Sequence, residues 1–198
     1  EQTAQRMSAL EKLCPHFHLS LQSGCDATLK RMNRHYTTRE YSESVENIRK
    51  FFENPAITTD VIVGFPGETE EEFEQSYRFI RGIHFYETHV FKYSKRRQTA
   101  AASMPGQISN QVKTERSNLL LELNRVNSVE FRKLYIGKKA EVLFEEKKEI
   151  GGKQYWIGHT RDYIKTAVLA DGEDNLSNVS RVLEITGLLD QEILSAKP

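Results

Sequence analysis

Asp60 stands inside ITTDVIV (57–63), a run otherwise apolar or β-branched. A carboxylate in such a run is costly unless paired. It is either a structural aspartate at a strand's edge, bonded to a neighbouring loop, or a ligand-binding group, because perturbed buried carboxylates gather at sites. Its place near the C-terminal end of a parallel strand favours a ligand, since α/β sheets bind ligands there. Gly64, Pro66 and Gly67 follow at once. They either let the backbone approach that ligand or make a tight turn and nothing more. Gln22, Ser23 and Arg34 flank the end of an earlier strand. Arg34 can hold a carboxylate in a bidentate contact or be an ordinary surface arginine.

Other residues carry weaker signals. Cys14 and Cys25 are eleven apart, with no CxxC and no third thiol, so a metal site built from this chain alone is not expected. His16 and His18 alternate on a short strand without a partner spacing and read as packing residues. Lys92, Lys95, Arg96 and Arg97 form a basic run that can meet phosphates or be a solvated loop. Tyr155, Trp156, Arg161, Tyr163 and Lys165 mix aromatics with cations, as single-stranded or looped RNA sites do; the alternative is a barrel core with a polar rim. From residue 138 onward nine Lys+Arg face eleven Asp+Glu, a net of −2, so any RNA contact there must be a local patch.

The elements that must position these groups follow from patterning. Residues 1–12 read as the tail of a helix, FHLSL (17–21) as a strand and Ala27–Met32 as a short helix. Thr37 with Glu40, and Thr69 with Glu72, have capping-box spacing and start two further helices. The first carries a stripe of Tyr41, Val45, Ile48 and Phe52, the second one of Phe73, Tyr77 and Ile80 ending at Gly82. Ile57–Val63 and residues 84–91 are the intervening strands. Alternating strands and helices of these lengths make βαβ units and a parallel sheet. Three strands make a poor domain, so further strands are expected from a segment preceding this chain. Ser109 caps a long helix through about Lys133, with Val112, Leu119, Leu123 and Val126 on its buried side. Gly137 marks a boundary. Beyond it AEVLFEE, QYWIGHT, YIKTAVLA and VSRVLEITG, parted by GG, RD and DGEDN turns, predict a small all-β barrel.

Composition sets the outer limits. The chain has 198 residues, with 28 Lys+Arg against 28 Asp+Glu. Zero net charge excludes a histone-like basic protein and an acidic disordered tail. With 38% hydrophobic residues the chain can build a core. It contains no apolar run of membrane-spanning length, and EQTAQRMSALEKL lacks the pattern of a signal peptide. The two cysteines read as thiols of a reducing cytosol. Position 1 is Glu, which suggests a fragment.

Three segments become specific in combination: CPHFHLSLQSGCDATLKRMNRHYTT, TTDVIVGFPGETEEEF and HVFKYSKRRQT. Together they resemble the tRNA methylthiotransferases of the radical SAM superfamily. The MtaB branch is nearest, through QSGCDATLKRMNRHY; the MiaB and RimO branches are similar. The C-terminal barrel resembles a TRAM domain. The resemblance implies an α/β fold with the C-terminal half of a radical SAM partial barrel in residues 1–91, a basic linker and long helix in 92–137, and a TRAM domain in 138–198. It implies a cytoplasmic enzyme that adds a methylthio group to carbon 2 of N6-threonylcarbamoyladenosine at tRNA position 37. Such an enzyme uses S-adenosylmethionine and two [4Fe–4S] clusters. The CxxxCxxC ligands of the radical-generating cluster are absent from these residues, so this chain alone is expected to be inactive and to need N-terminal domains. Related barrels contact S-adenosylmethionine through a Gln and an Arg twelve residues apart and an Asp on the next strand. Gln22, Arg34 and Asp60 match, with Ser23 beside them. The anticodon stem-loop would meet Trp156, Arg161, Tyr163 and Lys165, and the run Lys95, Arg96 and Arg97. Two departures bear on RNA contact: Gln98-Thr99-Ala100 replaces the usual Gly-Thr-Pro, and the barrel loop reads Arg161-Asp162-Tyr163 where an Asn is frequent. The alternatives are a RimO-type enzyme acting on a ribosomal protein and a non-catalytic RNA-binding protein.

Overall fold

A computed structural model describes residues 1–172 and 175–197. It falls into two compact units: Glu1–Leu13 with Phe17–Asn127, and Cys14–His16 with the residues from Ser128 onward. The division falls inside a helix, ahead of Gly137.

In chain order the elements of the first part are α1 (Gln2–Ser8), β1 (His16–His18), α2 (Asp26–Arg31), α3 (Thr38–Phe51), β2 (Ala56–Val63), α4 (Glu70–Ile83), β3 (Glu87–Lys92), α5 (Ala100–Ser103) and α6 (Asn110–Lys133). The sheet runs β1-β2-β3. β2 and β3 are parallel, with Asp60 opposite His89 and Thr58 opposite Glu87. A parallel bridge joins Gln22 to Val61 beyond the end of β1.

Both predicted capping boxes form: the Thr37 and Thr69 hydroxyls accept from the Glu40 and Glu72 N–H groups, and each glutamate reaches back to the N-cap backbone. The helices therefore start where expected, and Tyr41, Val45, Ile48, Phe73 and Ile80 are buried. The end of α4 differs. Gly82 lies inside the helix, and His84, at φ 55°, is the left-handed cap.

The core joins those side chains to Leu21, Ile57, Val61, Val63, Phe85 and Leu120. Alternation along β2 sends Ile57, Val61 and Val63 to this core and turns Thr58, Asp60 and Ile62 the other way. The expected stripe on α6 needs correction. Leu119 and Val126 are exposed, while Lys113, Arg116, Ser117, Leu120 and Asn127 are buried. The buried side of α6 is largely polar because it serves the loops and strand ends beneath it.

The second unit holds β4 (Lys139–Ile150), β5 (Lys153–Thr160), β6 (Lys165–Leu169), β7 (Val179–Leu188) and β8 (Leu194–Lys197), closed into a barrel in the order β4-β5-β6-β8-β7. The pairings are antiparallel except β6 with β8. Val142, Phe144, Ile157, Ile164, Ala167, Ile185 and Leu194 fill it. A Cβ at Gly158 would overlap the carbonyl of Leu143, so glycine there lets β5 press against β4 where β4 is bulged. Glu173 and Asp174 of the predicted DGEDN turn lie outside the described residues.

Candidate functional site

The polar groups gather on the sheet face turned away from the helical core. Three adjacent strands contribute. On β2, Asp60 is two residues from Thr58 and Ile62 on the same face. On β3, Glu87, His89 and Phe91 alternate with Thr88 and Val90, which turn toward the core. On β1, His18 joins them. The Asp60 carboxylate spans two rings: Oδ2 lies 3.3 Å from His18 Nε2, and Oδ1 lies 3.2 Å from His89 Nδ1. The Ser20 hydroxyl donates to Oδ2 at 3.4 Å, and His18 Nδ1 is 3.0 Å from Thr58 Oγ1. Asp60 is thus not buried alone: it is bonded both to the segment that follows β1 and to two histidines on the flanking strands. Its partners are side chains of the neighbouring strands and the segment after β1. The expectation that His18 is a packing residue is corrected: its side chain is 40% exposed and belongs to this cluster.

Gln22 is buried with φ 67°. Its N–H donates to the Asp60 carbonyl at 2.8 Å, and its own carbonyl accepts from Ile62 N–H at 2.9 Å. The backbone is thus committed to β2. The residue lines, with Asp60, an open cleft of about 490 Å³. Ile62, Phe65, Phe91 and Tyr93 give that cleft apolar walls, and Lys92 and Arg96 bring cations. Ser23 is fully buried, its hydroxyl accepting from Cys25 N–H at 3.3 Å. Arg34 is exposed between α2 and α3 and is not among the residues lining the cleft. Its charge acts on Tyr36, whose hydroxyl donates to the carbonyls of Ser20 at 3.1 Å and Leu21 at 2.8 Å. Burial nevertheless pushes the Tyr36 phenol up.

The GFPGET loop closes the end of β2, and charged residues on three elements fix it. Glu68, buried, accepts from Gly64 N–H and from Arg116 Nη1, both at 2.7 Å. Arg116 also donates to the Glu68 carbonyl and to Glu70, and lies over the Phe73 ring. Burial is the largest influence on the Glu68 carboxyl and pushes it above the usual carboxylate range, against the pull of those donors. Arg31 from α2 makes a two-pronged pair with Glu72, one arm at 2.9 Å, and its Nε donates to the Pro66 carbonyl at 3.3 Å. That guanidinium is the main reason the Glu72 carboxyl is held low. Gly64, at φ 71°, packs on Lys113, and any Cβ there would overlap that side chain. Lys113 Nζ in turn donates to the Tyr93 carbonyl at 3.0 Å. Pattern reading missed Arg31, Lys113 and Arg116 on helices and Glu68 in the loop, because charged residues in either setting ordinarily signal solvent.

Lys95, Arg96 and Arg97 are exposed. In the barrel, Trp156 is only 8% exposed, with Lys147 Nζ 5.3 Å from its ring, and it helps wall a cavity of about 290 Å³. Tyr163 is the open aromatic, 62% exposed at φ 63°, stacked on His159 with centroids 4.6 Å apart. Arg161 is exposed and Lys165 half-buried on either side of it. Between them Asp162 is pushed up by burial, against a hydrogen bond with Tyr135. His159 was not legible as part of this surface.

Residues 1–80 match the Radical SAM superfamily. The chain is 39% identical over 173 residues to the threonylcarbamoyladenosine tRNA methylthiotransferase MtaB of Bacillus subtilis (strain 168), an alignment covering 87% of this chain and 38% of that protein. It is 36% identical over 182 residues to the tRNA-2-methylthio-N(6)-dimethylallyladenosine synthase of Pelotomaculum thermopropionicum, covering 92% of this chain and 40% of the relative. To the synthase of the same name from Caldicellulosiruptor saccharolyticus it is 44% identical over 139 residues, 70% of this chain and 30% of the relative. The homologues are thus tRNA methylthiotransferases, and the chain spans well under half their length. A radical SAM enzyme implies an iron–sulfur cluster, and the residues present do not fit one. Cys14 is exposed, Cys25 is buried with its thiol on Gln75 Oε1, and two thiols do not make a three-cysteine ligand set. S-adenosylmethionine fits better: the cleft offers the Gln22 and Asp60 side chains, aromatic walls and nearby cations. Among the described residues no helix is long and apolar enough to cross a membrane.

Proposed function

We propose that the protein is a radical SAM tRNA methylthiotransferase that adds a methylthio group to carbon 2 of N6-threonylcarbamoyladenosine, at position 37 beside the anticodon. The supporting observation is the cleft on the uncovered sheet face, lined by Gln22 and Asp60, in a chain whose homologues are named for tRNA methylthiolation. The threonylcarbamoyl substrate rests on the MtaB relative, whose alignment covers 87% of the chain. The names of the relatives above do not indicate a RimO-type ribosomal-protein substrate.

In this reading S-adenosylmethionine, when bound, supplies radical chemistry and the methyl group. The Asp60 carboxylate accepts from ribose hydroxyls or the amino group, Gln22 bonds a second polar edge, and the aromatic walls exclude water. Ser23 shapes the turn that presents Gln22. Arg34 reaches the ligand carboxylate only by swinging in from its exposed position. Two [4Fe–4S] clusters take their ligands from domains outside these residues. The protein works in the cytoplasm.

The TRAM-like barrel meets the anticodon stem-loop through Tyr163 on His159, flanked by Arg161 and Lys165, with Lys95, Arg96 and Arg97 as a second phosphate contact. Trp156 supports that surface from inside the barrel. The domain plan is residues 1–91 for the S-adenosylmethionine wall, 92–137 for the linker and long helix, and 138–198 for RNA recognition.

Nucleoside mass spectrometry of tRNA from cells lacking the gene tests the assignment. The 2-methylthio form of N6-threonylcarbamoyladenosine should disappear while the unmodified threonylcarbamoyl nucleoside rises. Loss of the methylthio-dimethylallyl nucleoside instead would reassign the substrate.

A further inference from the structure

His18, Asp60 and His89 sit side by side on β1, β2 and β3, with one ligand-type atom from each lying within 4.8 Å of the others. We propose that these three side chains form a divalent transition-metal site, separate from any iron–sulfur cluster, of the two-imidazole, one-carboxylate kind.

Four observations carry it. The carboxylate is 3.3 Å from one ring nitrogen and 3.2 Å from the other. The two approaches use different oxygens, Oδ2 toward His18 and Oδ1 toward His89, so an ion seated between the rings would be held by both carboxylate oxygens. The His18 ring is held from behind, Nδ1 at 3.0 Å from Thr58 Oγ1, which leaves Nε2 toward the carboxylate. That is the outer hydrogen bond a ligating histidine ordinarily has. Nε2 also lies 3.2 Å from the Ser20 hydroxyl, so a ring nitrogen, a hydroxyl and a carboxylate oxygen converge where the ion would sit. The ligands stand on paired strands, whose register fixes Asp60 opposite His89. Finally, the site is open: side-chain exposures of 40%, 29% and 52% leave room for water or a substrate atom to complete the coordination.

The donor set selects the metal. Two imidazoles and one carboxylate suit zinc and its first-row neighbours, whereas magnesium and calcium prefer oxygen alone. The inference does not rest on the S-adenosylmethionine assignment, since the metal can be read without that cofactor.

The experiment is a titration of Co2+ into this purified chain after chelator treatment, followed by visible absorption and displaced by Zn2+. One ion per chain should bind with d–d bands and no thiolate charge-transfer band. Asp60→Asn and His89→Gln should each weaken binding more than about tenfold, with far-UV circular dichroism unchanged. Should Asp60→Asn disturb the fold, His89→Gln at its exposed position decides. Cys14→Ser should change nothing. Absence of the bands at stoichiometric Co2+, bands that survive His89→Gln, or bands lost with Cys14→Ser would overturn the site. His89 does not line the cleft, so its substitution separates failure of this proposal from failure of the cofactor reading.

Discussion

Asp60 and His89 are direct partners in the parallel ladder of β2 and β3, and their side chains meet at 3.2 Å on the face the helices leave uncovered. The pairing explains how a carboxylate persists in a strand whose other face is entirely core. The backbone of Asp60 holds Gln22 in place while its side chain is left for chemistry. One residue thus links the architecture of the sheet to the cleft. The same register sets the side chains of Thr58 and Glu87 opposite each other.

The buried Arg116–Glu68 pair holds the loop that ends β2. Arg116→Ala strands a buried carboxylate and should destabilise the first unit by about 3–5 kcal/mol, read by urea unfolding at neutral pH. Glu68→Gln should cost less. Burial raises the Glu68 carboxyl, so its contribution is fully present below the unfolded value of about 4.3 and is lost as pH rises through the folded value. The difference between wild type and Glu68→Gln should therefore move against the wild type over that rise.

Glu72 titrates with the opposite sign. Arg31 holds its carboxyl low, so its contribution is present above about pH 4.3 and is lost as pH falls through the folded value. Thermal unfolding of Glu72→Gln should accordingly show a smaller loss of stability on acidification than the wild type, from a lower starting point at neutral pH.

For the barrel, Tyr163→Ala should weaken binding of the anticodon stem-loop by about 1–3 kcal/mol, the value of one stacked base. Arg161→Ala should lower the salt slope of binding by about one. Trp156→Phe, a change inside the barrel wall, should leave RNA affinity unchanged in fluorescence anisotropy. Equal affinity of Tyr163→Ala and the wild type would shift the RNA contact to the run Lys95, Arg96 and Arg97.

Much of this fold was legible because local signals agreed with tertiary ones. Thr37 with Glu40 and Thr69 with Glu72 announced two helices, and the apolar run around Asp60 announced a buried strand. Four barrel strands stood out by alternation. The fifth, LSAK, is too short to show a period. Gly82 was the expected helix stop, yet the chain turns at His84, whose carbonyl accepts from Arg49. On α6, apolar spacing pointed to Leu119 and Val126, while the side facing the core carries Lys113, Arg116 and Asn124. Those residues serve the Tyr93 carbonyl, the Glu68 carboxylate and the Thr88 N–H. Hydropathy does not register a buried face whose task is to satisfy backbone groups. The site divides in the same way. Gln22 and Asp60 stood out as polar residues in apolar settings. His18 and His89 lie far apart in sequence, and only strand pairing makes them neighbours.

In the proposed function, the uncovered face of the β1-β2-β3 sheet binds S-adenosylmethionine through Gln22 and Asp60. Calorimetric titration of the cofactor into the cluster-loaded whole protein and its Asp60→Ala and Gln22→Ala variants tests it most directly. Losing a hydrogen bond to a charged group costs about 1.5–3 kcal/mol, so Asp60→Ala should weaken binding roughly ten- to a hundredfold. Gln22→Ala should weaken it less, with cluster content and the circular dichroism spectrum unchanged in both. Unaltered cofactor affinity in both folded, cluster-loaded variants would place the S-adenosylmethionine site elsewhere.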